Sequence, residues 1–286
     1  MRRIEQLIND VKFQTNEQSN RFSNEKFIKI FNDAQEEIVR IINVESSAPN
    51  FFQGNFQTDI LANKTQYDLP PDVYADNSIN AVIRFYQAGY GSPMKQISVR
   101  ELGTSEGYFI SDKSIVLSLN PVSRVINGLL VNYTRRLPRL APRFGKVSLV
   151  AGQDITVAGF NAETDPTDYS DFICVVDKSG EIIDQGLEIV SYASGVFTLT
   201  GTITATTDHY IVMGQHATTH SQLPIECEKY LTMYCEKMVH YINSSPSDLN
   251  VASAFSEQDR MDISALFRDN ESDVKYPPIT DSTYLN

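Results

Sequence analysis

The chain has no tryptophan, only three cysteines, and no predominantly apolar stretch of about 20 residues free of charged groups. Cys174, Cys227 and Cys235 are odd in number and lack a CxxC spacing, which argues against a disulfide framework and against a zinc site and fits a reducing compartment. The opening MRRIEQLINDVKFQ is basic but has no unbroken apolar core, so the expectation is a soluble protein that is not exported by a signal peptide. No GxSxG, Walker loop or GxGxxG segment occurs, and neither a metal nor an organic cofactor is expected. Basic residues are also in deficit. With 24 Lys and Arg against 36 Asp and Glu, the net charge of -12 argues against a general nucleic-acid binder, which needs a surplus of cations on one face. It suits plain solubility, or a wall that DNA must slide past without adhering.

What the chain does have is 286 residues, 41% of them hydrophobic, enough for a core without staples. Residues 23–43 carry Phe27, Phe31, Ala34, Ile38 and Ile41 at spacings of three and four, which predicts an amphipathic helix with Ser23 as its cap and Glu25 in its first turn. Ile4, Leu7, Ile8 and Val11 predict a shorter helix before it. After Leu223 a further helix is predicted, opened by Pro224, with Cys227, Tyr230, Leu231, Tyr234, Met238 and Ile242 inward. Ser247 is a candidate cap for another, with Leu249, Ala252, Phe255, Ile263 and Leu266 as its inward residues.

Between the helical ends the period changes to two. Ile79, Ala81, Ile83 and Phe85, then 115–119, then Leu129, Val131 and Tyr133 predict a small antiparallel β region. A second β-rich stretch, 145–215, has a different texture, with runs such as FICVVD and GVFTLTGTI. Val147, Leu149, Ile155, Val157, Phe172, Cys174, Val176, Leu187, Ile189, Val196, Leu199, Tyr210 and Val212 would fill a β-sandwich or small barrel. The class is therefore α+β: a helical bundle formed from both chain ends, a small antiparallel β region, and an inserted β-sandwich or barrel-like domain.

Candidate chemistry is sparse. Glu163, Asp165, Asp168 and Asp171 have a calcium-like spacing but lack an EF-hand's glycine and final glutamate, so a solvated acidic loop is the ordinary reading. His216 and His220 form an H-x3-H pair in a Gly/Thr-rich connection, without the intervening Glu of a zinc helix. Arg135, Arg136, Arg139, Arg143 and Lys146 form the one concentrated basic segment, since no acid occurs between Asp112 and Asp154. Arginine forks bind carboxylates and phosphates, and Pro138 and Pro142 stiffen the segment, so it reads either as a docking patch or as a solvated strand exit.

Four phrases occur in order: the amphipathic helix, Tyr67-x-Leu69-Pro70-x-Asp72, Tyr133-x-Arg135-x-x-Pro138-x-Leu140, and Leu223-Pro224 opening a helix. Together with an extended tail they resemble the head-to-tail adaptor, or connector ring, proteins of short-tailed bacteriophages, over residues 5–144 and 220–286. The resemblance implies an adaptor core of 1–144 and 220–267, an inserted β domain at 145–219 that departs from the compact family pattern, and an extended arm at 268–286. It implies a non-enzymatic virion structural protein, assembled in the host bacterial cytoplasm and located at the head-tail junction. Its copies would form a homo-oligomeric ring, a dodecamer, that docks on the portal protein and on a tail or second ring protein. Packaged DNA would pass through without specific binding, and a role in viral genome ejection follows. Twelve copies would carry a charge on the order of -140, which makes an acidic lumen a physical expectation. The expected partner-binding residues are Arg135, Arg136, Arg139 and Arg143 for an acidic surface, and Tyr276, Pro277, Tyr284 and Leu285 as apolar anchors of the arm.

Two rival classes stand beside this one. A virion adhesin or carbohydrate-binding module would place the activity in 145–215, although the lack of tryptophan counts against sugar stacking. A carboxylate-based hydrolase would need two acids converging in a cleft.

Overall fold

The computed structural model describes residues 2–16, 22–45, 52–74, 78–87, 90–160, 166–244 and 255–268. The chain divides into two compact units, one made of residues 1–51 and 139–286 and the other of residues 52–138.

The first unit opens with α1 (Ile4–Gln14) and α2 (Asn24–Glu45). Ile4, Leu7, Ile8 and Val11 form the buried face of α1, and the Gln6 side chain turns back to accept from the Arg3 amide at 3.0 Å, satisfying one amide at the helix start. In α2 the five residues of the predicted stripe, Phe27, Phe31, Ala34, Ile38 and Ile41, are all fully buried. Ser23 accepts from the Lys26 amide at 3.3 Å, as its place before the stripe predicts.

The second unit holds β1 (Gln53–Ile60), β2 (Gln66–Asp68), β3 (Ile79–Gln87), β4 (Tyr90–Pro93), β5 (Tyr108–Ser111), β6 (Ser114–Leu117) and β7 (Val125–Thr134). β1, β7, β3 and β4 form an antiparallel sheet in that order, and β2, β6 and β5 form a second. Between them lies a core of Ile60, Tyr67, Val82, Tyr108, Ile115, Leu117, Leu129, Val131 and Tyr133.

The first unit resumes with β8 (Arg139–Leu140) and then a barrel: β9 (Arg143–Ala151), β10 (Asp154–Ala158), β11 (Phe172–Val176), β12 (Ile182–Ala193), β13 (Val196–Leu199) and β14 (Tyr210–Met213). Of the two architectures expected for the inserted stretch, the barrel is the one formed. It is closed, with the order β10-β13-β12-β11-β14-β9, and every pairing is antiparallel. Closure removes the sheet edges that an isolated β module of this size would expose. Val147, Ile155, Val157, Ile173, Val175, Phe197, Leu199 and Ile211 fill the interior. Gly145 is needed where β9 passes β10, because a Cβ there would lie 2.2 Å from Val157.

Several inward expectations fail for local reasons. Leu149 is 57% exposed, because the β9–β10 register slips around Ser148: Thr156 pairs with Leu149 while Val157 pairs with Val147. The bulge breaks strict alternation, so Val150 packs against the core instead. Cys174, Val176 and Val212 are buried but point out of the barrel, and half-buried Tyr210 packs with them. Val176, Val212 and Ala217 form a second small cluster, and the Ala217 amide donates to the Cys174 sulfur at 3.4 Å. The run FICVV therefore reads as continuously apolar because both of its faces are covered.

After the barrel, β15 (Ala217–Thr218) pairs in parallel with β8, and α3 (Glu228–Ser244) and α4 (Glu257–Arg268) follow. Pro224 caps a short 3-10 turn, Ile225–Cys227, that leads into α3. Along α3 the buried row is Cys227, Leu231, Cys235 and Val239, with Tyr230 beside it, while Met238 and Ile242 are half-buried. Ser256 caps α4, accepting from the Asp259 amide at 3.2 Å; the predicted cap Ser247, with Leu249 and Ala252, lies outside the described residues. Phe255, Ile263 and Phe267 face inward, while Leu266 is 36% exposed. α2 packs against α1, α3 and α4. Arg260 of α4 bonds Glu37 and Glu45 of α2, each at 2.7 Å, and Ser264 donates to the Glu45 carbonyl at 3.0 Å.

Candidate functional site

The boundary between the two units falls inside the arginine segment, after Pro138. Arg135 and Arg136 belong to the second unit and Arg139 and Arg143 to the first, and each pair is built differently.

Arg135 and Arg136 follow the end of β7. The Arg135 amide donates to the Phe52 carbonyl at 2.6 Å, the Arg136 amide donates to the Asp72 carbonyl, and Arg135 forms an isolated bridge with Val73. One step earlier, the Tyr133 hydroxyl donates to the Asp72 carboxylate at 2.9 Å. Burial first, and Asp72 second, hold that hydroxyl's pKa well above the usual tyrosine range. Asp72 thus fastens the end of β7 through both its side chain and its backbone.

The other residues of the Tyr67–Asp72 phrase are similarly engaged. Tyr67 is buried; its hydroxyl donates to the Lys64 carbonyl at 2.9 Å and accepts from the Leu61 amide at 3.1 Å. Asp68 accepts from Ser114 at 2.9 Å, and the Leu69 amide donates to the Lys113 carbonyl at 2.9 Å. Two phrases some sixty residues apart in sequence therefore meet, and the Tyr133–Asp72 bond spans 61 positions.

Arg139 opens β8 and Arg143 opens β9. The Asn32 side chain of α2 clamps Leu140, donating to its carbonyl at 3.0 Å and accepting from its amide at 2.8 Å. That clamp fixes where Arg139 emerges, and its side chain is exposed. Nearby Asp33 has its pKa raised by burial, an effect that Lys29 and Arg139 oppose. Arg143 is half-buried, with its guanidinium carbon 3.7 Å from the Tyr210 ring centroid and one terminal nitrogen donating to the Lys178 carbonyl at 3.2 Å. The Nε atoms of Arg135 and Arg143 are buried without a hydrogen-bond partner. Among the described residues no carboxylate lies within ion-pair distance of Arg135, Arg139 or Arg143.

Tyr276, Pro277, Tyr284 and Leu285 lie outside the described residues, as do Glu163 and Asp165 of the acidic loop; Asp168 and Asp171 are exposed. No group of three or more His, Cys, Asp or Glu side chains that could hold a metal occurs among the described residues. His216 lends its carbonyl to the Arg139 amide, and His220 is buried beside the barrel hairpin, so the two histidines serve the β8–β15 joint. The three thiols are buried, and burial pushes each pKa upward, that of Cys227 to about 12. Such thiols are poor nucleophiles.

Sequence reasoning overlooked Asn32, Gln35 and Asp72 as organising residues. The signal for the first two was the placing of carboxamides beside or within the apolar stripe of α2, where an uncompensated polar group is costly. Gln35 is buried and accepts from Ser221 at 2.8 Å.

No protein-family model matches the chain, and no curated protein matches it.

Proposed function

We propose that this protein is a virion structural component, a head-to-tail adaptor whose copies form a ring of twelve that docks on the portal and joins it to the tail. The observation that carries this reading is the order of the four phrases, together with the mutual engagement of two of them through Asp72 and Tyr133. Residues shared as a phrase by a family of assembly parts are here spent on holding a strand exit in place, which suits a part that presents surfaces.

In this reading α1 and α2 with α3 and α4 form the helical bundle that packs against neighbouring copies. Arg139, exposed on a strand clamped by Asn32, and Arg136 meet an acidic partner surface, and the arm bearing Tyr276, Pro277, Tyr284 and Leu285 reaches the portal or a neighbouring subunit. Repetition around a ring multiplies weak individual contacts through effective concentration. Charge is distributed in keeping with separate roles. Residues 145–219 hold ten Asp and Glu against two Lys and no Arg, a net of -8, whereas residues 52–138 hold eight Lys and Arg against seven Asp and Glu. The barrel is thus a surface that repels nucleic acid.

The test is electron microscopy of the purified protein mixed with its portal. Rings seated on the portal are expected, and a protein that stays monomeric and unbound would refute the reading.

A second reading, an adhesin or carbohydrate-binding module carried by the barrel, has one observation in its favour. Phe144, Phe160 and Tyr192 are half-buried rings gathered around Phe197, with centroids 4.7 to 6.3 Å apart. Glycan-array binding that is lost in Tyr192→Ala would favour it.

A further inference from the structure

Thr218, Thr219, His220 and Ser221 are four consecutive polar residues with at most 8% exposure. Buried polar groups of this density are tolerated only when each has a partner. Here each partner lies on a different element. The Thr218 hydroxyl donates to the Gly180 carbonyl in the β11–β12 hairpin of the barrel. The Thr219 carbonyl accepts from the Ile4 amide at the start of α1 at 2.9 Å, and Ser221 donates to Gln35 of α2 at 2.8 Å. The run laces the barrel hairpin to two helices, and His220 stands in the middle of it.

The imidazole is confined. Its Nδ1 lies 2.8 Å from the Thr219 hydroxyl, and the ring lies against Gly180, where a Cβ would come within 2.5 Å of Nδ1. Gly180 has φ +86°, a second reason for glycine at the position. Arg3 bridges His220 through the backbone.

The charges around the ring are mostly positive. Arg3 caps α1 and Arg143 opens β9, and Glu5 of α1 is the opposing acid. Arg143 is held by Tyr210 and by the Lys178 carbonyl. Glu5 is already committed, with one oxygen accepting from the Arg143 amide at 3.1 Å and the other buried without a partner. On the hairpin, the Asp177 carboxylate is turned into its own loop by Ser179 and the Glu181 amide, and Lys178 and Glu181 are exposed.

We infer that His220 is an acid-released latch: neutral, it seals the joint between the barrel hairpin and the first two helices, and protonated, it opens that joint while the barrel stays folded. A proton on the ring would place a third cation beside two guanidinium groups in a site shielded from solvent. Burial first, and then Arg143, lower the pKa of His220 from its ordinary 6.5. A depressed histidine contributes stability that is complete above the unfolded value and is lost as pH falls through the folded one. The latch is therefore closed at neutral pH and opens on acidification.

Amide hydrogen exchange on the full chain, corrected for intrinsic rates, tests this together with an NMR titration of the His220 ring. Between pH 7.5 and 5, protection of the Ile4 and Arg143 amides should fall roughly tenfold, in step with protonation of the ring, while the strand amides of β11 keep theirs. In His220→Gln that pH dependence should vanish. The latch is overturned if the ring takes its proton with the Ile4 and Arg143 amides still protected, if β11 loses protection with them, or if His220→Gln loses protection over the same range. Should the variant not fold, the wild-type titration decides alone.

Discussion

Asp72 receives two bonds from one strand end, the Tyr133 hydroxyl on its carboxylate and the Arg136 amide on its carbonyl. Replacing it with alanine leaves the hydroxyl of buried Tyr133 without its acceptor, which should cost roughly 1–3 kcal/mol in chemical denaturation. Tyr133→Phe removes the donor instead, and a double-mutant cycle with Asp72→Ala should show coupling of about 1 kcal/mol between them. The tyrosine also sets an alkaline limit. Its folded pKa lies above the ordinary 10.0, so its contribution is complete below that value and is lost as pH rises beyond it. Alkaline unfolding followed by circular dichroism should therefore begin at higher pH in Tyr133→Phe than in the parent, once the two are matched for stability at pH 7.

At the level of elements, α4 is held to α2 by Arg260 and by a narrow apolar face. Arg260→Ala removes the cation that ties Glu37 and Glu45 of α2 to α4, leaving Glu37 with Arg40 alone, and α4 should then exchange its amides faster than α2 by about tenfold. Phe31→Ala, in a fully buried position of α2, should cost roughly 3–5 kcal/mol, well above the cost of the same change at exposed Phe13.

The sequence made α2 legible as a helix with the correct central stripe, because one helix face repeats at 3.6, although the buried face is wider and takes in Ile30, Gln35, Val39 and Ile42. The barrel was legible as a β module with an apolar interior, but not its individual facings. The bulge at Ser148 reversed Leu149, and the second covered face of β11 turned Cys174 away from the barrel. In α3 the four-residue row from Cys227 to Val239 drifts around the helix, so a stripe drawn through Met238 and Ile242 lies to one side of it. The arginine segment was legible as a charge cluster. Its division between two units was not, because the contacts that separate Arg136 from Arg139 come from distant parts of the chain.

For the whole molecule, the proposed ring makes the final residues the part that should matter least to folding and most to assembly. A chain ending at residue 269 should give the parent's far-ultraviolet spectrum yet fail to sediment with portal particles. Co-sedimentation at the parent's level would remove the arm from the interface. Reversing charge with Arg136→Glu and Arg139→Glu should also weaken portal binding, with an effect that shrinks as salt rises, since exposed charges are screened over about 8 Å at physiological ionic strength.

β8 and β15 lie side by side in parallel, with Arg139 opposite Ala217 and Leu140 opposite Thr218, so the barrel leaves and rejoins the chain at neighbouring points. Such a doorway lets the module be exchanged as a cassette. Natural recombination or a designer could cut it out, close the gap with a linker of about four residues spanning a strand or two, and leave the helices that flank the graft still in register.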